Sequence, residues 1–223
     1  MSQHNTQFNT QSGNVIIIIF IAVALFGALA FAFNQTSRTS TVFISDSAAD
    51  ATASRIIAYG NELKNAYKKI EIRGCDVMEI SFENPVETGY INANAPASNK
   101  CHIFAPEGGN LEYDALNDED IRFTDRHRLA NFGCNGASLC TEILYALKDI
   151  DEKLCTALNE KIGIDGIPTD TNGAGALTKF NGAFTGSGTS IGEADTNLLG
   201  QPIACYLDSD DSEYIFYYNL KTR

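Results

Sequence analysis

Residues 46–74 read DSAADATASRIIAYGNELKNAYKKIEIRG and carry the clearest helical pattern after the apolar N-terminal region. Apolar or small residues recur in this stretch at steps of three and four, the spacing that places them on one face of a helix. That face consists of Ala49, Ala53, Ile56, Gly60, Leu63, Tyr67 and Ile70. Asp46 suits the N-cap position and Gly74 suits the position after the helix end. We therefore predict an amphipathic helix that packs on a sheet.

The first turns of this helix are rich in small residues, namely Ala48, Ala49, Ala51 and Ala53. Small side chains allow helices to approach one another closely. A second use of this helix, as a contact between neighbouring subunits, therefore stays open.

Upstream of this helix the chain is uncharged and strongly apolar. Residues 1–37 contain no Asp, Glu, Lys or Arg, and residues 15–33, VIIIIFIAVALFGALAFAF, contain no polar side chain. As a helix this run spans roughly 28 Å, close to the thickness of a bilayer's hydrocarbon core. We predict a membrane-spanning helix at 14–34, with a leader or cytoplasmic tail at 1–13 and a connector at 35–45.

Three fates of the apolar segment stay open. It can be a secretory signal cleaved near Ala28-Leu29-Ala30 or Ala30-Phe31-Ala32, although no basic region precedes it and it exceeds the usual length. It can be an uncleaved anchor. It can also be a prepilin-type segment that is cut after Gly13, which leaves Asn14 as the new N-terminus.

Downstream of residue 74 the pattern predicts strands, a second helix and a closing hairpin. The predicted elements are strands at 77–82, at 101–104 paired with 111–113 and at 121–123, a strand or helix start at 139–147, a helix at 150–162 and a hairpin of 202–207 with 213–218. Two long loops, 83–100 and 165–200, separate them, and Phe180 and Phe184 are expected to pin the second loop to the core. This order favours an α+β fold with an antiparallel sheet, in one domain at 46–223.

The composition excludes one class of partner and indicates a compartment. The chain has 28 acidic and 16 basic residues, a net charge of −12, which disfavours nucleic-acid binding. All six cysteines follow the apolar run, and none forms a CxxC pair. This pattern predicts disulfides on the oxidising side of a membrane. Zinc is the alternative, but the Cys134–Cys140 spacing is long for a zinc knuckle.

The pairing of the cysteines is one choice among fifteen connectivities. By proximity along the chain, and so that the last hairpin is pinned to the second helix, we expect the pairs Cys75–Cys101, Cys134–Cys140 and Cys155–Cys205. Each such disulfide stabilises a domain by about 2–4 kcal/mol.

Catalytic motifs are weak in this chain. Gly188–Gly192 matches G-x-S-x-G, but a hydrolase elbow needs a strand before it, a helix after it and a later histidine. Of the two histidines in the domain, His102 is expected on a strand, and His127 lies between two arginines, which predicts a solvated turn. We therefore predict no enzymatic activity.

One acidic turn has part of a calcium-binding pattern. Asp208, Asp210 and Ser212 have the oxygen spacing that begins a calcium loop, without the glycine and the final glutamate of an EF-hand. A looser calcium site and a solvated acidic turn both stay open, and no other cofactor is expected.

The chain resembles the type IV pilins and the pseudopilins of type II secretion. The resemblance rests on Gly13-Asn14 before an apolar helix, on the amphipathic helix and disulfide-bearing sheet domain that follow, and on LCTALN at 154–159. Residues 13–29, 75–86 and 155–168 also resemble poorly characterised bacterial membrane-anchored proteins of pilin-like character. Pilins usually carry Glu at the fifth position of the mature helix, where this chain has Ile18. That departure disfavours a major pilin and fits a minor subunit or a non-assembling anchor.

The resemblance implies a structural subunit of a surface filament or secretion apparatus. It implies one pass through the bacterial cytoplasmic membrane, with the domain in the periplasm or on the cell surface. The expected partners are the bilayer and other pilin-like subunits, including copies of this chain. The alternative is a membrane-anchored binding module that uses loops 83–100 and 165–200 to hold a ligand or partner.

Cleavage after Gly13 is tested at the mature N-terminus. If the segment is of the prepilin type, intact-mass analysis of the membrane-extracted chain gives a protein that begins at Asn14. A mature chain that retains Met1 contradicts processing, and one that begins beyond Ala30 indicates a secretory signal.

Overall fold

The computed structural model describes residues 19, 21, 23, 25, 46–116, 120–133, 141–171, 177–184 and 189–222. The chain divides into two units, Met1–Phe43 and Ile44–Arg223. In the first unit, Ile19, Ile21, Val23 and Leu25 are helical and exposed. Among the described residues, no helix is both long enough and apolar enough to cross a membrane. The predicted leader, the connector and the rest of the predicted membrane helix lie outside the described residues.

The second unit begins with the predicted amphipathic helix, α1 (Asp46–Ile72). All seven residues of the predicted apolar face are buried, which confirms the helix and its orientation. The helix ends where Gly74 adopts a φ of +86°, a left-handed conformation that suits glycine. There the Gly74 N–H donates to the carbonyl of Glu71 and the Cys75 N–H donates to that of Ile70.

The strands form a mostly antiparallel sheet with the C-terminal strand at its centre. They are β1 (Asp120–Thr124), β2 (His127–Leu129), β3 (Ile143–Lys148), β4 (Thr169–Asp170), β5 (Thr189–Ile191), β6 (Ile203–Asp208) and β7 (Glu213–Lys221). The order of the main sheet is β1-β3-β7-β6-β4, antiparallel except between β4 and β6. Strands β2 and β5 form a separate parallel pair. The fold is therefore α+β, as predicted.

The two faces of this sheet bury two apolar clusters. Alternate residues of the central strands, such as Tyr145 and Phe216, face α1, and Tyr145 meets the edge of the Tyr59 ring at 5.8 Å. Their neighbours Leu144, Ile215 and Tyr217 belong to the second cluster, which includes residues of β2 and β5. Because both faces are covered, the central strands are buried almost throughout.

The second helix, α2 (Glu152–Ile162), confirms the predicted one. The Asp151 side chain caps its start by accepting the N–H of Lys153, and Gly163 ends it with a φ of +80°. A disulfide joins Cys155 of α2 to Cys205 of β6. The Asn159 side chain strengthens the same junction, because it donates to the Cys205 carbonyl and accepts the Cys205 N–H.

The second observed disulfide, Cys75–Cys101, joins the chain after α1 to a later loop. Both observed bonds match the expected pairs. The third expected pair, Cys134–Cys140, lies outside the described residues.

Three of the predicted strands are wrong. Residues 77–82 contain a 3₁₀ turn at Val77–Glu79, because Asp76 and Glu79 form a reciprocal capping box that favours a turn over an extended chain. The expected hairpin of 101–104 with 111–113 is replaced by turns and one isolated bridge between Ser81 and His102. Residues 121–123 and the terminal hairpin are confirmed, and the ambiguous run at 139–147 contains the strand β3.

α1 lies close to the sheet at Gly60, and this contact predicts the effect of a methyl group there. A Cβ on Gly60 would lie 2.4 Å from Cδ2 of Tyr218, a ring that is itself buried. At an open helix position Gly→Ala stabilises by about 1 kcal/mol. Here we expect Gly60→Ala to destabilise by about 1–2 kcal/mol in chemical denaturation, because the ring must move.

The exposed substitution Asn65→Ala on the same helix is the control and is expected to change stability by less than about 0.5 kcal/mol. A Gly60→Ala variant as stable as the parent chain would show that α1 does not lie this close to β7.

Candidate functional site

The two loops that were predicted to hold a ligand or partner come together in the structure. We call residues 83–100 and 177–184 the loop surface. Lys179 fixes its two parts: its Nζ lies 2.5 Å from Oε2 of Glu87 and 2.7 Å from the carbonyl oxygen of Thr88. The same ammonium group lies 4.9 Å from the centre of the Tyr90 ring. One side chain therefore makes an ion pair, a hydrogen bond and a cation–π contact across the two loops.

A second junction of the loop surface is built from asparagine side chains. The buried Asn92 donates to the carbonyls of Met78 and Ile80, and it accepts the N–H of Asn94. Asn94 in turn donates to the carbonyl of Gly182. Gly182 has a φ of +86°, and a Cβ there would lie 2.0 Å from Oδ1 of Asn92. Only glycine fits this contact, so the loops are held in one arrangement.

The loop surface also protects the edge of the main sheet. The Phe180 N–H donates to the carbonyl of Phe123 in β1, and the Phe123 N–H donates to the Tyr90 hydroxyl. The Phe180 ring is buried against Phe82, which confirms the expected anchoring of this loop. Because these groups occupy the outer side of β1, they stand where an added strand would bind.

Two large apolar side chains project from the loop surface into solvent. Val86 is 63% exposed and Ile91 is 71% exposed. Val86 lies on a turn in which Asn84 accepts the N–H groups of Val86 and Glu87. Since the loops are already ordered, a partner that covers these side chains pays little additional ordering entropy. The arrangement suits an apolar contact with another protein.

A second candidate surface is the side of α1 that faces away from the sheet. Ser47, Ala51, Ser54 and Ala58 follow one another at steps of four, three and four residues, and all are exposed. We call these four residues the small-residue face. Of the small residues singled out in the sequence, Ala48 and Ala51 are exposed, whereas Ala49 and Ala53 are buried against the domain. Ala49 and Ala53 therefore pack within the domain, whereas Ala48 and Ala51 are accessible for a contact between subunits.

A shallow groove of about 380 Å³ runs beside α1. It lies between the helix and residues 111–115 and includes Tyr59 and Glu62. The ion pair of Arg55 with Asp114, at 2.6 Å, bridges its walls. A ligand that enters fully must therefore compete with this pair.

The G-x-S-x-G serine lies in β5, which pairs with the strand that holds His127. Ser190 is opposite Arg128, and its Oγ accepts from Nε and Nη2 of that guanidinium at 3.1 and 3.0 Å. His127 is one residue away on β2, so its side chain is directed to the opposite face of the strand pair. The predicted solvated turn at His127 is wrong, because this residue is fully buried in a strand.

Glu142 is a buried acid that the sequence interpretation did not single out. Its side chain is 1% exposed, and its Oε2 accepts the N–H of Leu129 at 2.9 Å. Burial raises the pKa of this carboxyl to about 7, and the Leu129 hydrogen bond offsets part of the rise. Its signal in the sequence is an acid immediately before the apolar run of β3, residues 143–147.

The calcium candidates do not share one environment. Asp208 is buried at the end of β6, where its Oδ1 accepts the N–H of Asp210, whereas Asp210 and Ser212 lie in an exposed turn. The exposed-turn interpretation is therefore wrong for Asp208. In the described part of the chain, one group of three acidic, cysteine or histidine residues lies close enough together to hold a metal ion, namely Cys75, Glu79 and Cys101. Its two sulfurs form a disulfide, so neither is a thiolate ligand.

Neither a protein-family profile nor a curated protein nor a solved structure matches this chain. The predicted processing residues, Gly13 and Asn14, lie outside the described residues. The sequence contains one signal for the junction between the two loops. Lys179 is the only basic residue between positions 165 and 200, and it is the residue that joins the two loops.

The raised pKa of Glu142 predicts a pH dependence of stability. An acid with a folded-state pKa of about 7 and an ordinary value of 4.5 stabilises the fold fully below pH 4.5 and loses that contribution as pH rises to 7. Glu142→Gln keeps an acceptor for Leu129 but cannot ionise. We expect similar stability near pH 4.5 and a variant that is more stable by roughly 1–3 kcal/mol at pH 8.

Urea denaturation at both pH values measures this difference, and the exposed Glu160→Gln is the matched control. Equal stability of the parent chain and Glu142→Gln at pH 8 would show that the ionised Glu142 side chain does not destabilise the folded domain.

Proposed function

We propose that this chain is a membrane-anchored, pilin-like structural subunit of the minor-pilin or pseudopilin type. Its apolar segment, residues 14–34, anchors it by one pass in the bacterial cytoplasmic membrane. Its domain stands in the periplasm or on the cell surface, as part of a surface filament or secretion apparatus. Its role is structural and not catalytic.

The observation that carries the proposal is that α1 has two different faces. One face is buried on the antiparallel sheet, and the small-residue face is left exposed in the first half of the helix. The Ser54 hydroxyl donates to the Asp50 carbonyl within the helix, so it needs no further partner when another helix covers it. Small residues at such spacing let a second backbone approach closely.

The position of α1 in the chain supports the same role. The helix begins at Asp46, and the connector 35–45 joins it to the apolar segment. A subunit that associates along the first half of α1 therefore brings its neighbour's apolar segment to the same region. Contacts with lipid can then be exchanged for contacts with a copy.

The disulfides support a location outside the cytoplasm. Cys75–Cys101 and Cys155–Cys205 are buried bonds that close loops of 26 and 50 residues. Disulfides of this kind are usual in oxidising compartments and rare in the bacterial cytoplasm.

A second candidate function is favoured by the loop surface. Its two loops are fixed by Lys179, Asn92 and Asn94, and they expose Val86 and Ile91. In this alternative the anchored domain holds one foreign partner through these side chains and does not assemble with copies of itself.

Cross-linking in cells with a short bismaleimide separates the two functions. With cysteine at one exposed position of α1, Ala51→Cys, we expect a covalent dimer of identical chains. With two, Ala51→Cys/Ala58→Cys, we expect a higher yield of the same dimer, because both positions lie on the small-residue face that one neighbouring helix covers. The chain without added cysteine gives the background.

Ser98→Cys, on the loop surface, is the matched comparison. A single product of foreign mass from Ser98→Cys, with no dimer from α1, would contradict the subunit role and support the binding module. Products of identical chains from α1 support the subunit.

A further inference from the structure

The domain carries opposite charges at its two ends. Residues 64–73 contain four basic residues and one acid, whereas 149–152 and 208–213 contain seven acids and no basic residue. We call Lys64, Lys68, Lys69 and Arg73 the basic band. We call the exposed residues Asp149, Asp151, Glu152, Asp210 and Asp211 the acidic base. In a chain with a net charge of −12, the basic band stands out.

The described hydrogen bonds of the basic band go to neutral carbonyl groups. Lys69 donates to the carbonyl of Gly109, and Arg73 donates to the carbonyls of Glu107 and Gly108. Carbonyls satisfy hydrogen bonds but do not cancel a charge. Lys64 lies over the Tyr218 ring, and its pKa is lowered by burial and then by the neighbouring charge of Lys68.

Glu71 lies between Lys69 and Arg73 in the sequence, but it pairs with a lysine outside the basic band. Glu71 forms an ion pair with Lys221 at the end of β7. Among the described ion pairs, none includes a member of the basic band. This end of α1 is therefore a helix surface whose positive charge has no acidic partner in the described domain.

The acidic base is one continuous surface at the other end. The Ile150 N–H donates to the carbonyl of Tyr214, and Lys148 pairs with Glu213, so the two acidic segments are neighbours. Lys153, beside this base, pairs with Asp46 and thereby places the base at the start of α1. The distance along the helix from Asp46 to Lys64 is about 27 Å. The two charged surfaces are therefore well separated.

We propose that the basic band of one copy binds the acidic base of a second copy. Opposite surfaces at opposite ends make a head-to-tail contact, and such a contact can be repeated from one copy to the next. The occupant is a copy of this chain, because the chain itself carries the complementary charge. This inference rests on the proposed self-association and adds the surfaces that direct it. Because both surfaces are exposed, salt weakens the contact.

Charge reversal in cells tests the contact on the full chain. A photo-cross-linking residue in place of the exposed Asn65, which lies between Lys64 and Lys68 in the sequence, reports adducts between copies. We expect Lys68→Glu/Arg73→Glu to lower the yield of adduct by roughly tenfold, because the basic band then carries two positive and two negative side chains and loses its net charge. We expect Asp210→Lys/Asp211→Lys to lower it similarly, because the acidic base then keeps little net charge.

Combining the four substitutions leaves both surfaces with little net charge and is expected to keep the yield low, since neither surface then attracts the other. Glu160→Lys/Asp165→Lys makes the same change in net charge as the acidic-base variant, but at two other exposed positions, and is expected to leave the yield unchanged. Circular dichroism of each purified variant checks that the domain is folded.

The outcomes separate this inference from the proposed function. Charge-insensitive adducts at Asn65, together with identical-chain products at Ala51→Cys, overturn the head-to-tail contact and leave the subunit role intact. A loss with the basic-band reversal alone shows a different anionic partner and also overturns the contact. Absence of any product between copies at both positions overturns both proposals.

Discussion

The packing of one long helix on the centre of an antiparallel sheet is the constraint from which the rest of the domain follows. α1 contributes a face of seven buried residues, and it approaches β7 so closely at Gly60 that a methyl group meets the Tyr218 ring. Because β7 is the C-terminal strand and lies between β3 and β6, the sheet is complete only when the last residues of the chain have joined it. The beginning and the end of the domain are therefore packed against each other.

The segments around the contact of α1 with β7 are held by disulfides and side-chain hydrogen bonds more than by helices or strands. The Cys155–Cys205 disulfide and the Asn159 side chain attach α2 to β6, and Cys75–Cys101 attaches the chain after α1. The side chains of Lys179 and Asn92 hold the two loops of the loop surface, which have few backbone hydrogen bonds of their own. Hydrogen bonds from asparagine side chains to backbone groups give a loop one conformation without a strand or helix.

The elements that were predictable from the sequence are those with a repeated pattern. The α1 face, α2 and the terminal hairpin follow from the spacing of apolar residues. The two observed disulfides match pairs chosen by proximity along the chain and by the pinning of the last hairpin to the second helix. Residues 77–82 alternate like a strand, but a local capping box between Asp76 and Glu79 determines their conformation. Because two arginines flank His127, the sequence predicts a solvated turn there. The strand pairing with β5 instead directs its side chain inward. The loop surface depends on contacts between residues about 90 positions apart, such as Glu87 with Lys179, and no local pattern contains that information.

The proposed role joins three features: an apolar anchor, a disulfide-bearing head and exposed surfaces on α1. Non-reducing mass spectrometry of the chain extracted from washed membranes tests their common basis most directly. We expect the chain to be in the membrane fraction and to yield disulfide-linked peptides for Cys75–Cys101 and Cys155–Cys205. A freely soluble chain in which Cys75 and Cys155 are alkylated without prior reduction would contradict this expectation.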